Sequence, residues 1–277
     1  MDTLPAIPKD ATDRNRTSPF AFTGNKFEFR APGSSVCCSG PMTVLNTIVA
    51  EAVDRIAEEL EASGTTGKAK PGEHTAAFHN ALQKILQNTL KAHKRVVFNG
   101  NGYEAEWPKE AAKRGLPNAP DTPAALAALA KKENAELFKK YGVMTERELE
   151  SRHEIFLEEY AKKVRIEGTC ARDIAAEMVF PAAKAEYLET AKAVEAANAV
   201  GVSSGTAGLK ESLVELGSGI DALKSGIGKL DDALEHKDEA AVLAAMLSLR
   251  TAVDALEKRV SGERWPLPKY RDMLFLY

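Results

Sequence analysis

The sequence predicts an α+β chain that is predominantly α-helical: a few strands near the N-terminus, then a helical region with a long coiled hairpin. Three observations carry this. From Met42 onward, apolar residues recur at three- and four-residue steps, the period of a helix with one buried face. Only Lys26-Phe27-Glu28-Phe29-Arg30 alternates at strand spacing, with Phe27 and Phe29 expected on one face and Lys26, Glu28 and Arg30 on the other. Near the C-terminus, Leu213, Leu216, Ile220, Leu223, Ile227, Leu230 and Leu234 form a nearly heptad seam.

Taken in order, Met1–Thr12 is an extended approach, with Pro5 and Pro8. Arg14 and Arg16 frame Asn15, and Thr23-Gly24-Asn25 makes a turn into the alternating strand. Cations on both sides of a tight turn suit phosphate or carboxylate oxygens, onto which a planar guanidinium forks. Charge alternation by itself fits a solvated antiparallel strand equally well. Ala31–Ser35 is a turn. Met42–Ala62 follows as a helix whose face of Val44, Leu45, Ile48, Val49, Ala52, Val53, Ile56, Ala57 and Leu60 is expected to pack behind an active-site sheet.

Ser63–Gly72 is a polar, Gly-rich connector, and Glu73–Lys94 a second helix with Phe78, Leu82, Ile85, Leu86 and Leu90 inward. His74, His79 and His93 share no ligand spacing and read as helix-surface residues. Arg95–Phe98 is a brief strand or the end of that helix. Asn99–Gly102 is a turn; no strand–loop–helix frame with Lys-Ser/Thr follows, so it is not a phosphate-binding loop. A short helix opens at Trp107-Pro108, Pro117–Pro123 is a loop, and Ala124–Lys132 and Glu133–Tyr141 are helical, stopped by Gly142.

Thr145 and Glu148 fit a capping box opening a charged helical run to about Asn198, in which Gly168 weakens the helix and Pro181 kinks it. Its broken apolar stripe is Ile155, Phe156, Tyr160, Val164, Ile166, Ile174, Met178, Val179 and Tyr187, and the neighbouring Glu158 and Glu159 read as a solvated face rather than an acid/base pair. Val200–Gly208 is a hinge. Leu209–Glu235 and Asp238–Ser261 form the hairpin, with Val242, Ala245, Met246, Leu249, Val253, Leu256 and Val260 facing the first seam. The aromatic, Pro-broken tail from Trp265 to Tyr277 is expected to fold back onto the body.

Composition bounds the function. The chain has 277 residues, enough for one large or two ordinary domains, and a formal net charge of −3. A pI near 6.0 gives no electrostatic case for nucleic acid or a membrane surface. Of three cysteines, Cys37 and Cys38 are adjacent and Cys170 is distant, which makes no disulfide framework and points to a reducing, cytoplasmic compartment. No Cys/His spacing suits zinc, no apolar run spans a membrane, and Met1–Lys9 lacks a signal-peptide core.

The run Asn15-Arg16-Thr17-Ser18-Pro19-Phe20-Ala21-Phe22-Thr23-Gly24-Asn25-Lys26-Phe27-Glu28-Phe29-Arg30 resembles the late active-site segment of glutamine synthetase, specifically the large type III class. Asn99-Gly100-Asn101-Gly102-Tyr103, Arg114-Gly115-Leu116-Pro117-Asn118, the Tyr141-Gly142-Val143 turn and the Trp265 to Phe275 region are similar to type III sequences as well, with the likeness weakening across Ala182–Lys258. The resemblance implies a ligase that condenses glutamate and ammonia with ATP and Mg2+ or Mn2+, as a homo-oligomer. It implies that Arg16 contacts the transferred phosphoryl group, Glu28 binds a metal ion, Arg30 binds the substrate carboxylate, and Lys26 lies near the nucleotide phosphates.

Where other classes carry a further arginine, this chain has Phe20-Ala21-Phe22, and the second nucleotide contact stays unassigned. The family's β-grasp domain, remaining metal-binding glutamates and catalytic histidine lie upstream of the motif. The resemblance is therefore to the C-terminal part of the subunit, and one carboxylate makes no two-metal site, so the chain alone is expected to be inactive. The organisation expected is a catalytic-domain portion over 1–98, a helical extension over 99–199, and the hairpin with its tail over 200–277. A different class of function stays open, a non-catalytic helical assembly or scaffold module built on the hairpin. So does a narrower one, a γ-glutamyl-amine ligase, which Arg30 would serve equally.

Overall fold

The computed structural model describes residues 20–22, 27–29, 36–66, 74–98 and 101–274; for 20–22, 27–29, 270 and 271 it describes the backbone alone. The backbone forms two units, Met1–His153 and Glu154–Tyr277. Both are helical, apart from β1 (Phe20–Phe22) and β2 (Phe27–Phe29). These strands pair antiparallel with Phe20 opposite Phe29, Ala21 opposite Glu28 and Phe22 opposite Phe27. The ribbon joins no larger sheet among the described residues. The active-site sheet behind which the first helix was expected to pack is thus not seen among the described residues, and a pair of three-residue strands holds little stability of its own.

The first unit continues with α1 (Ser39–Ala62), α2 (Ala76–His93), a 3-10 turn at Lys94–Val96, α3 (Glu106–Lys113), α4 (Thr122–Leu126) and α5 (Lys132–Lys140). Thr75 caps α2 by accepting from the Phe78 amide at 3.2 Å, and Asp121 caps α4 by accepting from Ala124 at 2.8 Å. Helix α1 packs on α2 and α5 with only part of the expected face turned inward: Val44, Leu45, Ile56 and Leu60 are half-buried. Thr47 is buried and Glu51 and Asp54 are half-buried, whereas Ile48, Val49 and Val53 are 50, 44 and 60% exposed. The amphipathic helix is there, but the layer that would cover its apolar stripe is not among the described residues. Leu90 of α2, expected inward, is also exposed; Ile85 is buried.

The capping box at the start of α6 (Glu146–Asp173) is formed. Thr145 accepts from the Glu148 amide at 3.3 Å, and its own amide donates to the Glu148 carboxylate at 2.8 Å. Instead of a sharp kink at Pro181, the helix widens into a π-turn over Ile174–Val179, where the Phe180 amide reaches back five residues to the Ala175 carbonyl. Pro181 then sits in the first turn of α7 (Phe180–Ala199), where its missing N–H costs least. The extra residue in the turn shifts the helix's phase. Val164, Ala175, Val179 and Ala183 are buried, while Ile155, Phe156, Ile166, Ile174, Met178 and Tyr187 of the expected stripe are exposed.

The second unit closes on α8 (Thr206–His236) and α9 (Glu239–Glu257). Leu216, Leu223, Ile227 and Leu230 from α8 and Val242, Ala245, Leu249 and Leu256 from α9 make its core, as the heptad seam predicts. Trp265 is buried against this core and Leu267 packs on it, so this part of the tail folds back. At two contact points of the seam α8 has no side chain, and the α9 residue fills the space. A Cβ at Gly219 would lie 2.6 Å from Leu256 Cδ2, and one at Gly226 3.3 Å from the Leu249 Cα. Gly168 of α6, expected only to weaken its helix, is a third such notch, 2.8 Å from Val242 Cγ1.

Gly168→Ala therefore forces a methyl into a fully buried, β-branched neighbour, with overpacking of about 1–3 kcal/mol. Gly228 has nothing within 4 Å of its Cβ position. Gly228→Ala should instead stabilise by up to about 1 kcal/mol through helix propensity. Thermal melts followed by circular dichroism should show opposite shifts; equal stabilisation by the two substitutions would show that the contact at Gly168 is not tight.

Candidate functional site

The residues expected to carry chemistry fall largely beyond what the structure describes. Arg16, Lys26 and Arg30 lie outside the described residues. Glu28 is described by its backbone alone, in β2 opposite Ala21. Of the Asn99–Gly102 turn, residues 101–102 are described. The Asn101 side-chain oxygen accepts from the Tyr103 amide at 3.1 Å, an Asx turn that leaves the Tyr103 ring exposed.

Two polar clusters stand out among the described residues of the first unit, one including Tyr141 and the other Arg114, each from a stretch similar to type III sequences. In the first, α1 presents Glu51 and Asp54, one helical turn apart, to the C-terminal end of α5. The Tyr141 hydroxyl lies 2.8 Å from Glu51 and 2.9 Å from Asp54; Lys140 Nζ lies 2.9 Å from Glu51 and 3.0 Å from Asp54. Arg55 Nε adds a third partner to Glu51, at 2.9 Å. Gly142 follows at φ 63°, in the left-handed region, which ends α5 and lets the chain turn away.

The electrostatics follow from this geometry. Hydrogen bonds from Lys140, then Tyr141 and Arg55, pull the Glu51 carboxyl down to about 2. Lys140 and Tyr141 lower Asp54 in the same way, and hydrogen bonding to Glu51 foremost raises Lys140. Partial burial raises the Tyr141 phenol. The acids stay ionised, the ammonium stays protonated and the phenol stays neutral, so none is poised as a general acid, base or nucleophile near pH 7. The cluster is a clamp between α1 and α5.

The second cluster surrounds Arg114, the C-cap of α3. Its Nε donates to Glu110 at 2.7 Å, and one terminal nitrogen donates to the carbonyls of Val97 at 2.8 Å and Arg95 at 3.3 Å. Its guanidinium lies over Phe98 and Trp107, whose rings stack with centroids 4.1 Å apart. Arg114 thus holds the segment after α2 against α3, and its bond to Glu110 lowers that carboxyl. Gly115, at φ 66°, completes the stop.

No group of three or more His, Cys, Asp or Glu among the described residues could hold a metal ion. His74 stacks on Phe78 at 4.2 Å, a packing role rather than a ligand's. Cys37, Cys38 and Cys170 are free thiols. No helix among the described residues is long and apolar enough to cross a membrane. Glu51 and Asp54 lie outside every sequence-predicted site. The available signal was Thr47, Glu51 and Asp54 at i, i+4 and i+7, a polar stripe inside a largely apolar helix.

Comparison with known proteins gives these clusters a context. Residues 81–198 match the family model for the glutamine synthetase C-terminal domain. The type-3 glutamine synthetase of Dictyostelium discoideum is 38% identical over 289 residues, a span of 99% of this chain and 38% of that protein. Glutamine synthetases of Bacteroides fragilis (strain YCH46) and Butyrivibrio fibrisolvens are 34% and 35% identical, over 98% and 96% of this chain and again 38% of theirs. The chain thus spans well under half the length of these curated relatives.

If the clamp holds α1 to α5, acid should loosen it. The folded Glu51 carboxyl titrates near 2 against an ordinary 4.5, so its contribution is complete above about pH 4.5 and fades as pH falls toward 2. Urea midpoints should drop between pH 5 and pH 3 more for the native chain than for Glu51→Gln, which is already weaker at pH 7. Parallel profiles for the two proteins would remove the clamp from the account.

Proposed function

We propose that this chain, which belongs to the type III glutamine synthetase family, is the C-terminal segment of a glutamate–ammonia ligase and works only with the remainder of that enzyme. The observation that supports this best is the uncovered apolar stripe of α1. Ile48, Val49 and Val53 stand exposed on a helix that follows the Asn15–Arg30 run, as expected of a helix whose covering layer belongs to another part of the enzyme. The 38% span of the relatives leaves room for that part.

In this reading the roles implied by the family motif pass to the matching residues. Arg30 would fork onto the carboxylate of the substrate glutamate. Arg16 and Lys26 would offset negative charge on the phosphoryl oxygens while the glutamate γ-carboxylate takes the γ-phosphoryl group of ATP. Ammonia then attacks the γ-glutamyl phosphate and phosphate leaves. Glu28 would give one oxygen ligand to Mg2+ or Mn2+. In the family the remaining metal-binding glutamates lie upstream of this motif, so this reading takes the other ligands from the remainder of the enzyme. Residues 1–98 would complete the catalytic domain, 99–199 would extend it and 200–277 would buttress the extension. The intact enzyme would be a cytoplasmic homo-oligomer. Amine selectivity lies with residues elsewhere, which keeps a γ-glutamyl-amine ligase as a narrower form of the same reading.

A biosynthetic assay on the purified chain should give no glutamine above background. Co-expression with a subunit part that supplies the upstream half of a type III relative should restore synthesis. Glu28→Ala and Arg30→Ala should each then reduce it by about 10- to 100-fold or more, the loss expected for a charge-assisted contact. Restored synthesis that neither substitution touches would instead favour the scaffold reading.

A further inference from the structure

The chain enters α1 through Val36-Cys37-Cys38-Ser39, and both cysteines stand exposed with free thiols. They are not equivalent. The Cys37 S–H donates to the Ser39 hydroxyl at 3.2 Å. Cys38, at the N-cap position, makes no side-chain capping bond to the helix. Ser39 opens a helix of 24 residues, and the amides of a first turn have no intrahelical acceptor. When Cys37 ionises, the Ser39 hydroxyl turns its proton toward the sulfur, and the Ser39 amide donates to it as well. Both contacts favour the thiolate and hold the Cys37 thiol below its ordinary range. Cys170 is exposed too, but lies inside α6, where backbone amides are spent on the helix itself. The thiolate is the form that attacks a disulfide, and a thiol that ionises close to ambient pH does so fastest.

We propose that Cys37 is a modification site, which exchanges with a small disulfide of the glutathione class and keeps half of it as a mixed disulfide. The Cys37 thiolate attacks one sulfur of the reagent. A bond forms between Cys37 Sγ and that sulfur, the reagent's own S–S bond breaks, and the second glutathione leaves as a thiolate that takes a proton from water. Cys37 is oxidised and one glutathione is reduced, so the exchange needs no other co-reactant.

Cys38 is the nearest group that could undo this, yet it is poorly placed to do so. Adjacent Cα atoms lie about 3.8 Å apart, short of the roughly 4.4–6.8 Å that a disulfide takes up. Closing a Cys37–Cys38 bridge would strain the peptide between them, at the residue whose carbonyl accepts from Met42 to start α1. The mixed disulfide therefore persists until an outside thiol removes it. Along the chain, the adduct stands between Arg30 and the uncovered stripe of α1. The exchange depends on Cys37 and Ser39 alone and does not rest on the ligase reading, which the activity test above addresses separately.

The full 277-residue chain, reduced and then incubated with excess oxidised glutathione at pH 7, tests it by intact mass and peptide mapping. One glutathione should add first at Cys37, about three- to tenfold faster than at Cys38 or Cys170. The rate at Cys37 should level off at a lower pH than the rate at Cys170. Ser39→Ala should slow Cys37 about two- to fivefold and move its pH profile upward, with the circular dichroism unchanged. Ser39→Thr, which keeps the hydroxyl, should retain the native rate, and Cys37→Ser should leave only the slower reactions. Equal rates at the three cysteines would overturn the inference, as would a rate and pH profile at Cys37 that Ser39→Ala leaves untouched. So would a chain that closes a Cys37–Cys38 bridge in place of carrying glutathione.

Discussion

An amphipathic helix is stable only where its apolar stripe is covered, because each large aliphatic side chain gains about 1.5–3 kcal/mol on burial. That requirement organises this molecule. In the second unit α8 and α9 meet it for each other over most of their length, with glycine notches at Gly219 and Gly226 that bring the backbones close enough for Leu256 and Leu249 to fill the seam. The first unit meets it only in part. There α1 turns a polar stripe toward α5 and leaves Ile48, Val49 and Val53 without cover among the described residues.

The clamp on α1 explains how a helix can present its less apolar side inward. Glu51 and Asp54 would be costly neighbours if unpaired, but Lys140, Tyr141 and Arg55 supply donors to them. Ionic and hydrogen-bonded contacts of this kind are directional, unlike apolar packing. They set the rotation of α1 about its axis, and with it the direction in which the apolar stripe faces. The Tyr141-Gly142 turn contributes twice, through the phenol that reaches α1 and through the positive φ that ends α5. Arg114 does related work nearby. It spends its donors on Glu110 and two carbonyls, and so fixes the irregular stretch that no helix can hold.

Much of the helical architecture could be read from residue spacing, because that spacing records a physical need to bury one face. The α8–α9 seam, the capping box at Thr145 and the stop at Gly142 depend on local chemistry and emerge as expected. The errors arise where a distant element decides. The broken stripe from Ile155 to Tyr187 assumes a kink at Pro181, but the π-turn before that proline shifts the phase and Ile174 and Met178 lie exposed. Leu90 fits the stripe of α2 and still lies exposed, since periodicity does not report whether a partner is present. Gly168 looked like a weak point in its helix, and only the position of Val242 reveals it as a contact. Of the candidate site, the Asn15–Arg30 run was legible as an alternating, cation-flanked strand after a turn, and the roles of its residues only through resemblance. The clamp of Glu51 and Asp54 with Lys140 and Tyr141 joins residues about ninety positions apart and leaves little local signature.

The exposed faces of α1 and α9 are not alike. On the outer face of α9, Arg250 stands exposed and already neutralises Asp254, so charge as well as apolar surface meets the solvent there. The α1 stripe is made of branched residues, Ile48, Val49 and Val53, with Ala50 and Ala52 exposed beside them. It suits a broad, different surface such as the side of a sheet.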